Sequence, residues 1–256
     1  WLIDWSNARL SWNYTNGDSI AIKTPLQYVH EISDNKIFTD FVERSFELQE
    51  KYIKNKELIR VMTAQTITDE IGGKFNLEFH PRPIYSYKYI RNSASANELA
   101  YVQKNYLDKL QTFINESEEN KIPSQTYTKI EQEMIDGIAI TNLRAKHRFN
   151  TLSYLLTYRT NKINKTNKPL VAFMDNAESI RKQGIDIVRQ RESNYRYNST
   201  FLTQKRKDHT CYHFGYLFPT HDLHFWQREQ LQAQKNKYKF MFMNIWGVTR
   251  IIGIIN

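Results

Sequence analysis

The chain has 256 residues, 40% of them hydrophobic and 25% charged, enough to bury a core as one large domain or two small ones. Sixteen Tyr, fourteen Phe and five Trp exclude a disordered chain, and no stretch approaches the roughly eighteen apolar residues that a bilayer span needs. The net charge of +9 speaks for acidic partners and says nothing about fold.

Residues 8–23 read as a β-hairpin. Leu10, Trp12 and Tyr14 alternate with polar residues, Asn16-Gly17 supplies a turn with positive φ, and Ile20 and Ile22 alternate on the return. Upstream, Trp1 to Trp5 carry no secretory signal, and the opening Trp leaves room for a preceding segment with targeting information. From about residue 35 to 71 the period becomes helical, through Phe38, Phe41, Val42, Phe46, Leu58, Val61 and Met62, with Gly72-Gly73 as a stop. Residues 75–90 return to period two, with Phe75, Leu77 and Phe79 before Pro81 and Pro83, and Tyr85, Tyr87 and Tyr89 after them. Two short extended pieces are predicted there.

Ser95 and Glu98 have capping-box spacing, and Leu99, Val102, Tyr106, Leu110 and Phe113 follow at intervals of three or four, which predicts an amphipathic helix over 95–114. A polar loop over 115–124 leads to a second helical stretch containing Ile130, Met134, Ile138, Leu152 and Leu155. The short connection predicts an antiparallel helix pair over 95–160, with a break near Gly137 or Asn150. Helical patterning resumes at 170–195 and after Thr220. Residues 238–243 and 248–255 are continuous apolar runs that fit buried strands. The fold expected is α+β: a mostly helical body with a small antiparallel sheet made from the N- and C-terminal strands. With no repeat and no low-complexity linker, residues 1–256 read as a single domain, with a basic helical sub-region at 144–207.

The charge is uneven. Between residues 144 and 207 there are fifteen Lys or Arg against four acids, Asp175, Glu178, Asp186 and Glu192, while the remainder is nearly neutral at 21 basic and 23 acidic residues. No acid occurs over 137–174. Arg144, Lys146, Arg148, Arg159, Lys162, Lys165 and Lys168, with Lys205, Arg206 and Lys207 beyond, are interleaved with Phe149, Tyr154, Tyr158, Tyr195 and Tyr197. Cations that neutralise phosphates or sulfates, beside aromatic faces that stack on bases or sugars, suit a polyanion such as nucleic acid or an acidic polysaccharide. The same charges suit an acidic protein partner, or simply a solvated helical face.

Four of the seven His lie close together, His209, His213, His221 and His224, with Cys211 between the first two. In an extended segment His209, Cys211 and His213 share one side, and Thr220 as an N-cap would place His221 and His224 on one helical face. Imidazole and thiolate are ligands that Zn²⁺ prefers, and a site with an open position and Glu229 as general base would be a metal-dependent hydrolase. The spacing matches no zinc-finger or HExxH pattern, and the His also read as fillers beside Tyr212, Phe214 and Trp226. As the only Cys, Cys211 excludes an internal disulfide and fits any compartment. No Gly-rich phosphate loop, GxSxG elbow or dinucleotide fingerprint occurs. The reading that follows is a non-enzymatic binding or structural component, without a cofactor, that uses its basic segment to hold an acidic partner or polyanion. The zinc hydrolase is the alternative.

Overall fold

A computed structural model describes residues 25–54, 58–62, 87–167, 169–193 and 223–235. In chain order a 3-10 turn, Pro25–Tyr28, runs into α1, Val29–Ile32, followed by α2, Lys36–Gln49, a π-turn, Glu50–Lys54, and α3, Leu58–Met62. Then come α4, Tyr87–Asn92, α5, Ala96–Val102, a second π-turn, Gln103–Leu107, and α6, Asp108–Glu119. The described part closes with α7, Lys129–Asn164, α8, Val171–Ser193, and α9, His224–Lys235. This is a helical bundle. No helix among the described residues is long and apolar enough to cross a membrane.

The α+β expectation is therefore corrected: no strand occurs among the described residues. The expected N-terminal hairpin and the C-terminal strands lie outside them. Of the extended pieces expected over 75–90, the described residues belong to α4. Tyr87, Ile90 and Ala94, at spacings of three and four, are all buried against the helical core, and that tertiary contact overrides the local alternation of Tyr85, Tyr87 and Tyr89.

Local chemistry starts the helices. The Asn35 side chain accepts from the backbone N–H of Ile37 and Phe38, capping α2. Ser95 with Glu98, and Thr128 with Glu131, form complete capping boxes at α5 and α7. The stripe Leu99, Val102, Tyr106, Leu110 and Phe113 is buried along its length, and the π-turn inside it keeps that stripe on one side while inserting a residue. Glu118 of α6 pairs with Lys146 of α7 at 2.7 Å, and Arg159 further along α7 donates to the Ala94 carbonyl, so α5–α6 and α7 run antiparallel.

Helix α7 is the axis of the bundle. It continues unbroken through Gly137 and Asn150 for 36 residues, about 54 Å at 1.5 Å per residue, so the expected break is absent. Both ends are held by separate apolar clusters. Its N-terminal half contributes Met134 and Ile138 to a cluster with Tyr28, Val29, Phe38, Phe41 and Val42. Its C-terminal half contributes Leu152, Leu155 and Leu156 to the larger one with α3 to α6. In the middle, α4, α8 and α9 all pack on it. A helix covered from several sides buries polar positions as well as apolar ones, and that is where the candidate site lies.

Candidate functional site

Arg144, Arg148 and Thr151 follow one another on α7 at spacings of four and three, and His147 stands beside them, so all four share one helical stripe. That stripe faces α4 and α9. Arg144 is nine-tenths buried, and His147, Arg148 and Thr151 are fully buried. From α9, Glu229 meets Arg144 in a bidentate pair, with Nη1 to Oε2 at 2.5 Å and Nη2 to Oε1 at 2.6 Å. Arg144 Nε donates to the Met62 carbonyl at 2.9 Å, so each of its three side-chain nitrogens has a partner.

Arg148 is less completely served. Its Nη1 donates to the Tyr87 hydroxyl of α4 and lies 3.5 Å from Glu229 Oε2, and its guanidinium stands over the Tyr87 ring at 4.7 Å. The Tyr87 hydroxyl is in turn 2.8 Å from Thr151 Oγ1. Arg148 Nε and Nη2 have no hydrogen-bond partner among the described residues, nor has His147 Nε2. The His147 ring lies 5.1 Å from the ring of Trp226, with Nδ1 3.5 Å from Arg144 Nη1. An arginine only donates, so Nδ1 is the acceptor in that contact and the ring proton belongs on Nε2.

The electrostatics follow from burial and the two guanidinium groups. Burial disfavours the charged carboxylate of Glu229, but Arg144 and then Arg148 outweigh it and hold its pKa down at about 2. Burial drives His147 down to about 3, with Arg144 and Arg148 adding to the shift against the attraction of Glu229. Burial pushes Tyr87 up to about 12, with Arg148 opposing. At neutral pH the cluster thus holds two cations, one anion, a neutral imidazole and a protonated phenol. None of Glu229, His147 and Tyr87 titrates near pH 7, where an acid–base catalyst works best, while donors without acceptors are what a bound anion needs.

The basic residues singled out in the sequence are divided by the fold. Arg144 and Arg148 enter the core. Lys146 is partly exposed and paired with Glu118, and Arg159 is tied to Ala94. Lys162 and Lys165 are exposed at the C-terminal end of α7, where Lys165 forms the left-handed cap with φ 52°. Lys168, Lys205, Arg206 and Lys207 lie outside the described residues, as do His209, Cys211, His213 and His221. His224 opens α9, directly after Leu223 with φ 45°. Among the described residues no group of three His, Cys, Asp or Glu is placed to hold a metal ion. Glu229, the expected general base, is locked on Arg144 and has little basicity left. Tyr87, His147, Thr151 and Trp226 were not singled out as site residues in the sequence. The signal for His147 and Thr151 was their place in the same stripe as the two arginines.

No protein-family model matches this chain, and comparison with curated proteins and with solved structures finds no relative.

Proposed function

We propose that this chain is a non-enzymatic binding component that uses its basic segment to hold an acidic partner or polyanion. One observation carries the reading: among the described residues, α7 brings two arginines into the core against one glutamate, and two nitrogens of Arg148 have no acceptor. Arginine does not shed its proton, so a buried surplus cation favours a state in which an anion is close. Lys162 and Lys165 extend the same acid-free stretch to the exposed end of the helix, where they suit first contact with a negatively charged surface.

The test is retention on heparin or an acidic peptide matrix at low salt, followed by elution in a salt gradient. Strong retention that falls steeply with salt is expected, because each neutralised charge releases a counterion. The double substitution Lys162→Glu with Lys165→Glu is expected to elute at clearly lower salt. Passage of the unmodified chain straight through both matrices at low salt would overturn the reading.

A further inference from the structure

We propose that the edge of the Arg148 guanidinium that has no partner among the described residues is a receptor for a single monoanionic carboxylate. The proposal rests on the anion-binding reading above and names the chemistry of the ligand. Arg148 uses Nη1 towards Tyr87 and Glu229, which leaves Nε and Nη2 on the other edge. Those two nitrogens carry parallel N–H bonds spaced to meet the two oxygens of a carboxylate. The same core already contains this recognition once, in the two-pronged contact between Arg144 and Glu229. His147 Nε2 is a third buried donor without a partner among the described residues.

Charge selects the ligand. Among the described residues the cluster holds Arg144 and Arg148 against Glu229 alone, with His147 neutral, so these groups carry one positive charge too many. A water molecule would satisfy an N–H bond but leave that charge in a medium of low dielectric. A monoanion balances it, whereas a dianion such as hydrogen phosphate would reverse it. Arg148 is fully buried between α4, α7 and α9, so the anionic group must be small. A carboxylate on a small acid, or at the end of an Asp or Glu side chain, meets that condition. A phosphodiester strung along a nucleic-acid backbone does not. Entry requires a local opening of the packing around Arg148, so titrations need long equilibration.

The experiment follows the thermal midpoint of the full chain as acetate replaces chloride at constant ionic strength, with a parallel titration by an oligoglutamate peptide. In both, the side-chain Nε signal of Arg148 is monitored by NMR. Acetate is expected to raise the midpoint and shift the Arg148 signal. The same shift with oligoglutamate alone would assign the carboxylate to an acidic peptide instead of a free acid. Arg148→Lys, which keeps the charge but lacks the fork, and Arg148→Met are both expected to lose the response, while Lys162→Glu with Lys165→Glu keeps it. If the Arg148 variants do not fold, the Arg148 signal of the unmodified chain still decides. An unmoved signal with both carboxylates, or a midpoint rise that survives in Arg148→Lys and Arg148→Met, would overturn the proposal. A response to dimethyl phosphate but to neither carboxylate would overturn it in favour of a phosphate ligand. An unmoved Arg148 signal together with unchanged heparin retention removes this inference alone, whereas loss of retention on both matrices removes the broader reading.

Discussion

Glu229 faces Arg144, Arg148 and His147 together, and removing its charge isolates two guanidinium groups in the core at once. Glu229→Gln is therefore expected to cost about 3–5 kcal/mol of folding stability, as breaking a buried pair does. Arg148→Met removes the surplus cation and is expected to cost much less. Urea unfolding of the two variants checks the order, and equal losses would mean that net charge does not govern this cluster. The same residues set the response to acid. His147 has a folded pKa of about 3 against an ordinary 6.5, so the unfolded chain binds the extra proton between those values. Its contribution is complete above pH 6.5 and is lost as pH falls towards 3, at up to about 1.4 kcal/mol per pH unit. Glu229, at about 2 against 4.5, adds a loss of the same sign only below pH 4.5. The window between 4.5 and 6.5 therefore separates His147 from Glu229, and His147→Gln is expected to flatten the stability profile there. An unchanged slope would show that the imidazole charges in the folded state.

At the scale of elements, α7 and α8 use glycine differently. A Cβ built on Gly137 meets nothing within 4 Å, so this glycine only weakens the long helix. Gly137→Ala is expected to raise stability by about 0.8–1 kcal/mol in urea unfolding. A Cβ on Gly184 of α8 would come within 2.6 Å of Leu223 Cδ1 and 3.5 Å of Trp226, where α9 begins. Gly184→Ala should gain less, because Leu223 has to give way in a segment whose φ of 45° is already uncommon for that residue. Equal gains at both positions would mean that the approach of α9 to α8 is loose. The 95–114 stripe was readable because one face of that helix is apolar and the other polar. The 36-residue α7 was misread as breaking because the sequence shows a mid-helix Gly and Asn but not the two clusters that grip the helix on either side.

Across the described molecule, α7 ties those two clusters into one body. Phe38→Ala in the first and Leu110→Ala in the second are expected to cost about 3–5 and 2–5 kcal/mol respectively. Both should lower a single cooperative transition, since either loss is transmitted along the shared helix. Two separated transitions in calorimetry would show that the clusters unfold independently. What the sequence by itself determined is local: the capping box at Ser95, the buried stripe from Leu99 to Phe113, and a positive stretch without acids over 137–174. Capping and periodicity act within about four residues, so they can be read from neighbours along the chain. Which side of α7 faces inward was decided only by the tertiary structure. Arg144 meets Glu229 from 85 residues further on, and Arg148 meets Tyr87 from 61 residues earlier. The same run of arginines is a solvated face or a buried charged core depending on whether α4 and α9 cover it, and that cover comes from segments distant along the chain.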